Sequence, residues 1–404
     1  MATLTEQIQN MKTASQAQTA ASQALAQEVA DKMGAIDTKV NSSISRVESE
    51  YDGKAAGLTI IATDGYRKAV EHNSGGKNTV VYDAQGNPNI MVVVPRFNYE
   101  DLGLTALELG EGTPTMFQTN GVPRSEVLIG KYLASTMGTG TAVIGGVQPR
   151  TSVNYDQAKQ LCTQKGANWH LMSAHEWAAI ALWSIANETV PRGNTNYGRS
   201  HERKLETARR ADNGIPGDTS GTGRTDTGKG PAAWSHDHTE FGIADLVGNV
   251  YEWIDQMCMQ DGRIITTLDN DPSVAEANWT RHPAFLDAIA SAGGAPKLNS
   301  KVNIRQGDLG DDGSGGSSFS VEWQKLTKDP SYTPQQLLRR LLIESAVTTG
   351  SASGSLYGRN YGLRFPVRGG HWNDGANAGL GFLYLIYSRA DARGVIGFRP
   401  AFFV

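Results

Sequence analysis

Along the first fifty positions apolar residues recur at Leu4, Ile8 and Met11, then at Leu25, Val29, Ile36, Val40, Ile44 and Val47. The steps run close to alternating threes and fours, which lines the side chains along one seam of a long helix, as in a coiled coil. At 1.5 Å per residue such a helix is about 70 Å long, more than a globular domain needs. The same register passes through Ser15, Gln18 and Ser22, a polar patch that suits three strands or a specified register better than a tight dimer. The alternative is a single solvated helix or a disordered tail. The spacing therefore predicts a self-associating stalk over residues 1–52, a homotrimer, that attaches the rest of the chain to something else.

From Gly57 the period changes. Asn78 to Phe97, NTVVYDAQGNPNIMVVVPRF, has two β-branched runs around a Gly86-Asn87-Pro88-Asn89 turn and predicts a hairpin within a small β-rich connector, residues 53–125. A strand-rich segment opens at EVLIGKYLAS, Glu126 to Ser135. Two helices follow. One runs from about Tyr155 to Lys165 and stops at Gly166; the other is opened by Ser173 and Glu176 in capping-box spacing, before Trp177, Ile180, Ala181 and Trp183. Two long polar insertions interrupt this part, about 188–235 and 261–363. The second is expected to hold the loop GDLGDDGSGGSS and one amphipathic helix from Pro334 to about Val347. Insertions of this length are usually functional or packed against a partner. The class is α+β.

A net charge of −4 leaves no electrostatic footprint for nucleic acid or an anionic membrane. No apolar run of eighteen residues suggests membrane insertion. The first residues lack an apolar leader core, so no signal peptide is expected and the chain would be made in a cytoplasm. Cys162 and Cys258 are too few for a disulfide framework and read as buried thiols. Gly223 to Lys229 fits a phosphate-loop spacing, but Gly230-Pro231 follows where a hydroxyl and a helix are required. His236, Asp237, His238 and Glu240 lie in a polar loop and read as solvated, so no metal is expected, although structural calcium at Trp372-Asn373-Asp374 stays open.

EVLIGKYLAS, NYDQAKQLCTQKGANWHLMSAHEWAAIA, FGIADLVGNVYEWIDQ, RGGHW and GFRPAF, in that order, resemble the formylglycine-generating-enzyme branch of the C-type lectin fold. The resemblance covers most of residues 126–404 outside the insertions. It implies a scaffold of Gly248, Asn249, Trp253, Arg368, Gly369, Gly370, Trp372, Gly397, Phe398 and Arg399. It does not carry the copper oxidase activity over. That chemistry relies on cysteines after the RGG motif, and Asn373 to Arg399 has none. No cofactor and no enzymatic activity are therefore expected.

The C-terminal motif RGG-x-WN-x-GANAG…GFR is also similar to the variable proteins of diversity-generating retroelements, of the phage tropism-determinant kind. Their copying errors at adenines turn asparagine codons into many others, but never into Lys, Glu, Gln, Met or Trp. From Arg368 to Val404 there is no Lys, Glu, Gln or Met, types that make up about one residue in seven of the chain. The resemblance thus implies a variable region, 368–399, whose receptor-binding residues are His371, Asp374, Phe382, Tyr384, Ile386, Tyr387, Asp391, Arg393 and Val395. Alternation in GFLYLIY predicts Leu383 and Leu385 in the core, with Phe382, Tyr384 and Ile386 exposed on the other face. The competing reading is a strand buried on both faces. The implied function is a phage receptor-binding protein at the tip of a tail fibre in the virion. Its partners would be a bacterial surface protein or glycan and, through the stalk, other tail proteins. A formylglycine-generating-type enzyme and a cellular retroelement-diversified surface protein are the alternatives.

Overall fold

The computed structural model describes residues 3–61, 64–307, 318–345 and 353–404, with the side chains of 45–61 outside the description. The Val47 side chain, most of the loop GDLGDDGSGGSS and the end of the helix expected to reach Val347 lie outside the description. The chain divides into two units, residues 1–68 and 69–404.

In the first unit one helix runs unbroken from Leu4 to Ile61, past Gly53 and Gly57, beyond the boundary read from the sequence. Each glycine costs a helix only about 1 kcal/mol, too little to end one this long. Its apolar stripe faces water in the single chain: Leu4 is 74% exposed, Leu25 62% and Ile36 59%.

Among the described residues the second unit has three large sheets and two two-stranded ribbons. The predicted hairpin forms, as Asn78–Tyr82 and Pro88–Pro95, with Asp83 Oδ1 accepting the Gln85 and Asn87 amides and Gly86 at a φ of 82° in the turn. Pro88–Pro95 then pairs with Glu126–Gly130, so residues assigned to a connector share a sheet with the segment that opens at Glu126. The chain's last strand, Pro400–Phe403, lies between Glu126–Gly130 and Trp169–Leu171 and completes this antiparallel sheet of five. Lys165, almost wholly covered, ties helix to hairpin by donating to Asn89 Oδ1 at 2.8 Å and Asp83 Oδ2 at 3.2 Å.

Both expected helices are present. Tyr155–Thr163 is capped by Asn154 with Gln157, and Ala174–Ala186 by the reciprocal Ser173 and Glu176 bonds that the spacing predicts. Trp177 fastens the second helix to the core by donating from Nε1 to the Leu380 carbonyl at 3.1 Å.

The insertions differ in kind. The first, 188–235, has no helix beyond the turn Ala232–Trp234 and is held by polar side chains. Buried Arg210 gathers it, donating to both Asp212 oxygens and to the carbonyls of Ile215, Asp218 and Ser220. The second corrects the sequence reading. Instead of loop and one helix it supplies most of a six-stranded sheet, with Arg263–Thr266, Thr280–Ala288, Pro296–Asn299, Thr327–Lys328 and Leu363–Arg364 added to Met257–Gln260. Among the described residues its one α-helix is Gln336–Arg340, beside 3-10 turns at Glu276–Asn278 and Trp323–Lys325. Leu342 turns left-handed at a φ of 51° and ends it. Alternate burial along TRHPAFLDA is a period-two signal too diluted by Pro283 and polar residues to stand out.

Candidate functional site: an aromatic face on the central sheet

Gly379–Leu385 lies inside a sheet ordered Phe319–Glu322, Ser355–Gly358, Gly379–Leu385, Val367–Gly369, Tyr251–Trp253, Ile396–Phe398. Pleating sends its residues to opposite faces. Leu383 and Leu385 join the large core beneath, with Leu356 and Trp177. Phe382 and Tyr384 take the other face, as the alternation predicts, and two tyrosines from neighbouring strands meet them there. Tyr357 is the register partner of Tyr384, and Tyr251 comes from the YEW strand.

The rings form one continuous cluster. Tyr251 stacks on Phe382 and Tyr384 at centroid distances of 5.4 and 5.7 Å, and Tyr357 lies 5.9 and 5.5 Å from the same pair. Tyr387 packs 4.6 Å from Tyr384, and His371 4.6 Å from Tyr251. Contacts of this geometry add about 1 kcal/mol each beyond area burial. Asp374 closes the group, its Oδ2 accepting the His371 amide at 2.8 Å and its Oδ1 the Tyr251 hydroxyl at 3.3 Å. Burial raises the Asp374 carboxyl and lowers the His371 imidazole, so the centre of the face favours neutral forms. Burial likewise raises the Tyr384 and Tyr387 hydroxyls. At the edge Arg393, over half exposed, lies over the Tyr387 ring at 5.1 Å and binds Asp391 at 2.9 Å; Asp391 also holds the Ser388 amide.

Seven of the nine residues read as receptor-binding therefore meet: His371, Asp374, Phe382, Tyr384, Tyr387, Asp391 and Arg393. Val395 bridges two clusters, packing beside Tyr197 against Trp372, Leu133 and Val250 and also against the cluster that holds Tyr251, Phe382 and Tyr387. Ile386 sits half-buried past the strand end, its carbonyl accepting from Arg364. One expectation is corrected. Phe382 has no exposure and Tyr387 only 7%, because the tyrosines on either side cover them. Tyr384, His371, Asp374, Ile386, Asp391 and Arg393 keep access to solvent. Sequence reasoning missed Tyr251 and Tyr357. The first was absorbed into a scaffold motif although it shares a face with Trp253, and the second lay in a segment read as loop.

Beneath this face the motif residues fix the backbone. Glu252, between Tyr251 and Trp253, points to the opposite side and forms a buried two-pronged pair with Arg399, at 2.9 and 2.8 Å. Arg399 also donates to the carbonyls of Gly130 and Ala244, so it joins the five-stranded sheet to the central one. Trp253 donates to the Val153 carbonyl at 3.0 Å, and Phe398 is fully buried. Gly248 and Asn249 both stand left-handed, at φ of 75° and 59°, and Asn249 Oδ1 accepts the Thr225 amide, locking the first insertion to the sheet. Gly369 has a φ of 86°, and a Cβ there would come within 2.4 Å of the Leu246 carbonyl oxygen. A side chain at Gly370 would meet Ala378, and one at Gly397 the Arg150 carbonyl. Trp372 donates its amide to Asn249 and accepts from the Tyr197 amide.

Arg368 is different. It is fully buried, yet among the described residues its guanidinium donates only to the carbonyls of Leu341, Leu342 and Phe382. Among the described residues its Nε finds no acceptor, and burial lowers its pKa to about 9. It caps the C-terminal end of the Gln336–Arg340 helix, where the helix dipole favours a cation.

Elsewhere, His236 Nδ1 accepts the Ile243 amide and Asp237 holds Thr239, so SHDHTE is a bonded turn. Among the described residues no three His, Cys, Asp or Glu groups gather as for a metal ion. Cys162 and Cys258 are buried and unpaired, and burial pushes the Cys258 thiol up to about 12. No helix among the described residues is long and apolar enough to cross a membrane.

No family model and no curated protein matches the chain. Solved structures do. A Major Tropism Determinant M1 variant is 13% identical, matched over 69% of this chain and 50% of its own, with a TM-score of 0.28. Treponema denticola variable protein 1 is 14% identical over 81% and 99%, at 0.30. PvdO from Pseudomonas aeruginosa is 14% identical over 81% and 98%, at 0.32. The chain spans about half the length of the tropism determinant it matches.

Proposed function

We propose that this chain is a retroelement-diversified, receptor-binding protein of a phage tail fibre. On this reading a trimeric coiled-coil stalk carries a C-type lectin-like unit in the virion, and the unit's aromatic face binds a bacterial surface molecule. The observation that supports it most is the separation of two layers along one segment. Arg368, Gly369, Gly370, Trp372, Phe398 and Arg399 are held by buried bonds or by space for no side chain. Between them stand Tyr384, His371, Asp374, Asp391 and Arg393, partly accessible and of types that concentrate binding energy. Binding rather than catalysis is the activity, and three copies on one stalk would raise weak single-site affinity through avidity.

The test displays the full chain with the nine positions randomised among the retroelement-permitted residue types and selects against a model protein, lysozyme. Binders should emerge that keep a large apolar residue at the buried Phe382 position and differ from one another at the accessible positions of the face. A library that folds but yields no binder would contradict the reading. Oxidation of a cysteine peptide by the copper-loaded chain would favour the enzyme instead.

A further inference from the structure

We infer that Tyr357, on a strand of the second insertion, is a fixed contact residue of the recognition surface. The inference rests on the receptor-binding reading and extends it: part of the surface lies outside the stretch that diversification rewrites.

The argument begins with register. Ser355–Gly358 runs parallel to Gly379–Leu385, with Leu356 opposite Leu383 and Tyr357 opposite Tyr384. Leu356 is therefore committed to the core, and Tyr357 has to stand on the same face as Tyr384. The ring distances of 5.5 and 5.9 Å confirm the placement. Tyr357 also keeps partial exposure, whereas Phe382 has none and Tyr251 only 5%. Of the four aromatic rings in contact with Tyr384, Phe382, Tyr251 and Tyr387 are buried, and Tyr357 is the one with ring surface left to offer.

Its position is also held. Ser355 donates to Asn377 Oδ1 at 3.0 Å, and Gly379 has no room for a side chain because the Ser353 carbonyl oxygen lies 2.1 Å from where Cβ would be. Backbone bonds run from Gly381 to Ser353 and from Trp323 to Gly354. Arg368 meanwhile links the Phe382 carbonyl to Leu341 and Leu342 of the same insertion. A preorganised ring loses little freedom on binding, the reason tyrosine serves so well in protein-binding surfaces. A fixed tyrosine beside a changeable one gives each new variant an anchor before its own contacts are optimised. The occupant it fits is a protein surface, since tyrosines rimmed by an Arg–Asp pair match the composition of protein-binding hot spots.

The experiment uses several independent lysozyme binders from the library above, in the full chain. Tyr357→Ala should weaken every one of them about 10-fold or more, whatever residues occupy the nine positions, while Tyr357→Phe stays within about 3-fold. Should Tyr357→Ala fold poorly, Tyr357→Val keeps a strand-forming residue and takes its place. In the unsubstituted binders, bound lysozyme should also protect Tyr357 from nitration. Binders that lose nothing on removal of the ring and show no protection would overturn the inference and leave the receptor-binding reading intact. A library without binders would sink that reading itself.

Discussion

Replacing Arg399 by methionine removes the cation that pairs with the buried Glu252 carboxylate. Both side chains are at most 1% exposed. The substitution leaves Glu252 without its two charge-assisted bonds and strips donors from the Gly130 and Ala244 carbonyls. Removing one partner of a buried pair typically costs about 3–5 kcal/mol, a large share of a stability of about 5–15 kcal/mol. The loss should depend on pH in a defined sense. Burial already raises the Glu252 pKa against the pull of Arg399. Without the cation it rises further above its unfolded value, so the folded variant holds a proton the unfolded chain releases. Its stability is then greatest near pH 5 and declines towards pH 8. Urea unfolding followed by tryptophan fluorescence reads this directly, because all eight tryptophans lie in the 69–404 unit. Glu252→Gln should cost less, as the amide still accepts from Arg399. The double variant should fall short of the sum by about 1 kcal/mol or more. Strict additivity, or a loss below about 1 kcal/mol for Arg399→Met, would refute the claim that this pair joins the sheets.

Three further outcomes follow from the same geometry. Phe382→Ala should cost about 3–5 kcal/mol and Tyr384→Ala much less, because the first is fully buried and the second keeps one side open; equal losses in urea melts would contradict the assignment of floor and surface. His175 is lowered to about 3 by burial and then by His282, so between about pH 6.5 and 4 the unfolded chain takes up a proton that the folded chain refuses. Over that range stability should fall about 1.4 kcal/mol per pH unit more steeply in the wild type than in His175→Asn, and parallel curves would show the imidazole is not the cause. Light scattering on the full chain should give three chain masses, shifting to one when Ile36 and Val40 are both replaced by lysine; a monomeric parent would remove the trimer.

Legibility in the sequence followed the strength of each local signal. Capping pairs such as Ser173 with Glu176 state where a helix starts, and that holds; the alternation in GFLYLIY holds as far as Leu385, where the strand ends, and beyond it Tyr387 rather than Ile386 joins the aromatic side. The heptad run declared the long helix but not its end, since Gly53 and Gly57 weaken a helix without stopping it. What the sequence hid was nonlocal. The sheet of the second insertion depends on pairings across loops, and the burial of Phe382 depends on two tyrosines 131 and 25 positions upstream, at Tyr251 and Tyr357. Likewise, Glu252 and Arg399 are legible as motif letters, but their partnership needs the fold.

The central claim is that His371, Asp374, Tyr384 and their neighbours are one version of a surface written by retroelement copying. Sequencing the coding locus tests it most directly. The account predicts that the codons of the nine named residues end in C or T, and that a near-copy of the segment, with adenines at those codons, lies nearby beside a reverse transcriptase gene. Codons ending freely in A or G, with no such near-copy, would contradict it.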